Sequence, residues 1–172
     1  MIGMRLVIVF LAGAFLCVTV AHSSEPLMQS VKGIESVARE YFHALHSRDY
    51  DRVLRLTTEE MGFSDPTAEG QEMVITNAGR DEFLEYMEKA SAGLDASATI
   101  KDSFKTGKYV VLRVFYEGKL PGDAMGAPGQ TLAFHNEGVT VLVVENNKVV
   151  QHIDYVDYET LFQQIGEQLT GK

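Results

Sequence analysis

The feature that most constrains the fold is a change of hydrophobic period near the middle of the chain. Up to about residue 92 apolar side chains recur at helical spacing, and beyond it they alternate. Val31, Ile34, Val37, Ala38, Tyr41, Phe42 and Leu45 form one stripe, with Lys32, Glu35, Arg39 and Glu40 elsewhere, so a first helix is expected over 31–45. Asp49 can cap a second helix carrying Tyr50, Val53, Leu54 and Thr57 on one face, broken at Gly62 and Asp65-Pro66. Residues 67–79 have no clear period, with Met73-Val74-Ile75 their strand-like core. A third helix over 80–92 buries Phe83, Leu84, Met87 and Ala90 and stops at Gly93.

Residues 98–105 and 109–116 then read as strands. The stretch 117–131, EGKLPGDAMGAPGQT, carries four glycines and two prolines and reads as a long mobile connection or a lid. Residues 132–144 and 148–155 form a hairpin closed at Asn146-Asn147, which tolerate the positive backbone angles of a tight turn. Asp157 caps a last helix with Leu161, Phe162, Ile165 and Leu169 on one stripe. Helices first and a strand meander afterwards indicate an α+β fold. The expected architecture is a cone-shaped, curved antiparallel sheet with three amino-terminal helices on its concave face and a short carboxy-terminal helix. Such a covered sheet encloses a pocket. At 172 residues there is room for one domain.

A net charge of −9 disfavours nucleic acid and anionic lipid surfaces as partners. Arg5 precedes an uncharged run, LVIVFLAGAFLCVTV, which suits an export signal and is short for a span of roughly 20 residues. Thr19-Val20-Ala21 or Ala21-His22-Ser23 provides a cleavage tripeptide. The expected organisation is a signal peptide over 1–21, a linker over 22–30 and a domain over 31–168, in a periplasmic or secreted protein. An uncleaved amino-terminal anchor is the alternative. The single cysteine, Cys17, lies in the signal run, so the exported chain would fold without disulfides.

The segment VAREYFHALHSRDYDRVLRLTTEEM, the Gly79-Arg80-Asp81-Glu82-Phe83 start of the third helix, and the tail GDAMGAPGQT…VTVLVVENNKVVQHIDYVDYETLFQQIG resemble the SnoaL-like family of the nuclear transport factor 2-like superfamily. The resemblance spans about 31–168. It departs from the family pattern at Asn147, where glycine is common, at Gln151, where an acid is usual, and at Ile153, where tryptophan is usual. It implies a homodimer formed through the outer sheet face, and no cofactor. It also implies that Asp154 matches an aspartate serving the family's cyclases as general acid and base on a carbonyl substrate.

His152 and Asp154 are two apart on a strand, so they share a face, with Val150 on their side and Val149, Gln151, Ile153 and Tyr155 on the other. A carboxyl inside an apolar cone loses hydration, its pKa rises toward neutrality, and it can take and return a proton. Alternatively, Asp154 crosslinks the sheet end and His152 is a satisfied, half-buried histidine. His135 either reaches the pocket or sits exposed on its strand. Arg113, beside Phe115, either snorkels outward or pairs with a buried carboxylate such as Asp154. Tyr41, Phe42, Met61, Phe63, Tyr86 and Met87 are either pocket walls or core. His135, His152 and Asp154 are metal-ligand types without a ligand spacing. The functional expectation is an exported domain that binds a small apolar molecule. The alternative is a cofactor-independent isomerase, cyclase, dehydratase or hydrolase using Asp154 and His152. Val149, Ile153 and Tyr155, with Leu112 and Val114 if they share that side, would form a dimer face.

Overall fold

The computed structural model describes residues 33–70 and 74–171. The expected signal segment, the linker and residues 31, 32 and Met73 lie outside the described residues. Helix α1 (Ile34–His46) buries Val37, Ala38, Tyr41, Phe42, Ala44 and Leu45, as its stripe requires. Arg48 turns the chain at φ 61°, and the Asp49 carboxylate caps α2 (Tyr50–Leu56) by accepting from the Arg52 amide at 3.1 Å.

Here the structure departs from the helical expectation. The second helix stops at Leu56, and Thr57–Ser64 is a strand, β1. Two β-branched threonines open it, and Met61 and Phe63 alternate into the core. Those two apolar residues are too few to stand out as a period in the sequence. Strand β2 (Asn77–Gly79) pairs with β1, and α3 (Arg80–Ala90) follows.

The remaining elements are β3 (Asp95–Thr106), β4 (Tyr109–Pro121), β5 (Thr131–Glu145), β6 (Lys148–Val156) and α4 (Tyr158–Thr170). The six strands lie in the order β2-β1-β6-β5-β4-β3. All neighbours are antiparallel except β1 and β6, which run parallel, so the sheet is mixed where a wholly antiparallel one was expected. Parallel pairing is open to β1 because a long stretch of chain, and no hairpin, joins it to β6. The expected lid is also shorter. β4 pairs with β5 as far as Pro121↔Thr131, and residues 122–130 fold back through a 3-10 turn, Gly122–Met125. Two backbone bonds of 2.9 Å, Gly122 N–H to Gln130 O and Ala127 N–H to Gly122 O, close that turn.

Asn146 and Asn147 sit at φ 50° and 60° and make the tight turn of the β5–β6 hairpin. Just beyond it, Val144 pairs with Val149 and Val143 with Gln151, so Val150 is an extra residue, a bulge. The bulge reverses the facing of everything after it. Val149 points into the core and is fully buried, not on the outer face as alternation along the strand suggested. Leu112 and Val114 are likewise inward and fully buried. The core joins Val37, Tyr41 and Phe42 of α1, Phe83 of α3, and Val110, Leu112 and Leu142 of the sheet. Among the described residues no helix is long and apolar enough to cross a membrane.

Candidate functional site

The bulge in β6 sends His152 and Asp154 inward, opposite Leu142 and Thr140 of β5. The His152 ring is buried with three aromatic rings edge-on to it, Tyr41 at 5.6 Å, Phe63 at 5.2 Å and Phe83 at 5.4 Å between centroids. Its Nδ1 lies 2.9 Å from the Tyr41 hydroxyl. Its Nε2 lies 2.9 Å from Oδ1 of Asp154, ion-pair distance, although that oxygen is off the N–H direction and makes no aligned hydrogen bond. The same Oδ1 accepts a hydrogen bond from the Thr140 hydroxyl at 2.6 Å. All these contacts fall on Oδ1. Oδ2 makes none of them, on a side chain that lines a cavity.

That arrangement changes the electrostatic expectation for the carboxyl. Burial is the largest influence on Asp154 and pushes its pKa up. The neighbouring His152 charge, the His152 and Thr140 contacts and the nearby His46 together outweigh burial and hold it below the usual range. Asp154 is therefore an anion at neutral pH, where the apolar surroundings alone suggested a value near neutrality. The expectation counted the walls of the cone and omitted the histidine packed against the acid.

The cavity has a volume of about 260 Å³. Its polar wall includes Asp154, His46, Tyr50, Tyr116 and Asn136, with Arg48, Ser91 and Ser97 also lining it, and Leu45, Met87, Leu94, Phe134 and Leu161 form much of the rest. His46, in the last turn of α1, is pushed down to about 4 by burial, and further by His152 and His43, while Asp154 pulls it up; it stays neutral. Burial, with the Asp154 charge next, raises the Tyr116 hydroxyl far above its ordinary value, and a contact with Thr140 eases the rise. Tyr116 thus remains a proton donor. The Tyr50 hydroxyl and Oδ1 of Asn136 are buried with no hydrogen-bond partner in the protein. Such atoms are costly unless a ligand or water meets them.

Of the residues singled out in the sequence, Asp154 lines the cavity and His152 stands directly behind it. Tyr41 and Phe63 belong to the core that orients His152, as do Phe42 and Met61 to the core at large, while Met87 reaches the wall. Tyr86 lines a neighbouring cavity. Arg113, Phe115 and His135 are a correction. They occupy odd positions on β4 and β5, whose even positions face inward, so all three lie on the outer face. Arg113 reaches Asp102 at 2.6 Å and Glu137 at 3.6 Å, and not Asp154. Phe115 packs near His135, with the Lys101 ammonium 4.7 Å from its ring centre. His135 consequently cannot join His152 and Asp154 around a metal, and no group of three metal-ligating side chains occurs among the described residues.

His46, Tyr50, Tyr116, Thr140 and Asn136 escaped sequence reasoning. One signal was available for three of them. Tyr116, Asn136 and Thr140 share the parity of the inward-facing Leu112, Leu132 and Leu142, and a polar side chain on the core face of a strand needs a reason.

The model of the SnoaL-like polyketide cyclase family matches residues 35–165. A structure from Shewanella putrefaciens described as a SnoaL-like polyketide cyclase is 27% identical with a TM-score of 0.68, covering 78% of this chain and 86% of its own. One from Shewanella denitrificans with the same description is 26% identical with a TM-score of 0.69, covering 78% and 98%. An LEH-like epoxide hydrolase of M. tuberculosis shares the fold at 13% identity and a TM-score of 0.60, covering 80% and 92%. No curated protein matches the chain.

Proposed function

The chain belongs to the SnoaL-like polyketide cyclase family, and from that premise we propose that it is a cofactor-independent enzyme moving a proton on a small, largely apolar carbonyl compound. The observation that carries this reading is Asp154, an anion at the cavity wall with Oδ1 engaged by His152 and Thr140 and Oδ2 outside those contacts. The carboxylate removes a proton from the carbon next to the carbonyl. The electron pair of that C–H bond becomes the carbon–carbon double bond of an enolate while the carbonyl π pair moves onto the oxygen, which accepts a hydrogen bond from the unpartnered Tyr50 hydroxyl. Asp154, now protonated, returns the proton at another atom, giving isomerisation, or to the alkoxide left by internal attack of the enolate, giving ring closure. The lowered pKa makes Asp154 a weak base, and stabilisation of the developing oxyanion is what offsets that weakness. His152 and Tyr41 hold the carboxylate in place.

The test needs no knowledge of the natural substrate. Cyclic ketones in heavy water are followed by NMR for exchange of the protons beside the carbonyl. The protein should accelerate exchange, and Asp154→Asn should lower the rate by about 10²-fold or more. Exchange equal to buffer, or unaltered by the substitution, overturns the reading. A carrier that binds the same molecule without turnover is the second reading, favoured by the lowered pKa that makes Asp154 a weak base. It gives saturable binding with no exchange. We also propose that the protein acts outside the cytoplasm after cleavage at Ala21 or Ser23. Intact-mass measurement of the chain recovered from a cell envelope or medium checks this, and a full-length mass there is the contrary outcome.

A further inference from the structure

A second cavity, of about 570 Å³, adjoins the first. Ala90 of α3, Pro121 and Met125 at the turn after β4, and Phe162 of α4 are among its walls. Leu94, Phe134 and Leu161 line both cavities. These three come from the segment before β3, the inner face of β5 and the first turn of α4, and they are the common border of the two cavities. The chemistry of the chambers differs. The inner one holds an anion, the Arg48 guanidinium, which donates to the Leu94 carbonyl, and two unpartnered polar atoms. In the outer one three of the polar groups are already engaged: the Tyr158 hydroxyl donates to Asp65 at 2.7 Å, Lys89 meets Glu85 at 2.6 Å, and Tyr86 meets the backbone of Ile75. The Asp123 carboxylate also lines it, from the Gly122–Met125 turn.

We propose that the two chambers are one bipartite site, and that its ligand is an elongated molecule with a carbonyl-bearing head and a saturated or aromatic apolar tail. The head lies against Asp154, Asn136 and Tyr50. The tail passes between Leu94, Phe134 and Leu161 into the outer chamber, where it displaces water from apolar walls and asks for no hydrogen bond. Volume supports this assignment. The inner cavity alone falls below the roughly 300–1,000 Å³ of ordinary ligand sites, and it reaches that range only by joining the outer one, which lies within it already. Leu161 and Phe134 then set the length and width of what is accepted. The proposal rests on the reading of the inner cavity as the place of the reacting group, and it adds the class of substrate.

The experiment is calorimetric titration of the full chain with straight-chain methyl ketones from hexanone to tetradecanone. Affinity should climb about fourfold per added CH₂ well beyond the shortest members, as burial of each methylene predicts. Leu161→Trp narrows the common border and should end the climb early, cutting the ratio of long-chain to short-chain affinity at least tenfold. Phe162→Trp, at a residue that lines the outer chamber alone, takes up part of its space and should cut the same ratio less. Affinity that levels off at hexanone in the unaltered protein overturns the bipartite site, as does a ratio untouched by both substitutions. The outcome is separable from the proton-transfer test. Length dependence without exchange keeps the bipartite site and removes the enzyme, and exchange without length dependence does the reverse.

Discussion

A buried imidazole needs partners for its nitrogens, and the Tyr41 hydroxyl supplies the one at Nδ1 of His152. Tyr41→Phe keeps the edge-on ring but strands that nitrogen, at a cost of about 1–3 kcal/mol. Urea unfolding should show a lower midpoint at unchanged slope. Two titrations should also be visible in the stability of the protein, in separate windows. His46 falls from an ordinary 6.5 to about 4 on folding. The unfolded chain therefore binds more protons between those values, and stability drops as pH falls from 6.5 to about 4. The loss is on the order of 3 kcal/mol, since each pH unit between the two values contributes about 1.4 kcal/mol. His46→Asn should flatten that slope. Asp154 is held below its ordinary 3.8, so its contribution is present above that value and is lost as pH falls through the still lower folded value. An acid limb below about 3.8, weakened in Asp154→Asn, is the expected signature.

At the level of elements, strand β6 carries the main decision. Counting back from the Asn146-Asn147 turn without a bulge would place Gln151 and Ile153 inside and His152 and Asp154 outside, because side chains alternate strictly. The extra residue at Val150 restores the acid and the histidine to the interior. Strand β4 shows a different constraint, close approach of backbones. A Cβ on Gly118 would stand 2.5 Å from the Asp95 carbonyl oxygen and 2.7 Å from the Ala96 Cα. Those are backbone atoms of the paired strand and cannot swing aside. Gly118→Ala should destabilise the protein by about 1–3 kcal/mol, read as a lower thermal midpoint.

For the molecule as a whole, the outer sheet face still exposes Val139 and its cross-strand partner Tyr155, each at least a third accessible. We propose that two copies pair through this face. Sedimentation at high concentration should report a dimer that Tyr155→Glu dissociates, and a monomer there removes the idea. The sequence alone determined the helical stripe of α1, the positions of α3 and α4, the Asp49 and Asp157 caps, the diasparagine turn and the run of strands from β3 to β6. Each of these is written in neighbouring residues, by spacing, by capping chemistry or by tolerance of positive φ. The sequence missed β1 and β2 between the helices, and Ala90 and Leu169, read as stripe residues, are exposed. Tertiary structure decided the rest. β1 is a strand because β6 is there to pair with it, and Arg113 lies outside because its strand sets Leu112 and Val114 inside. Asp154 remains an anion because the fold packs His152 and Thr140 against it. These outcomes depend on parity and on groups distant in sequence, and a local period carries neither.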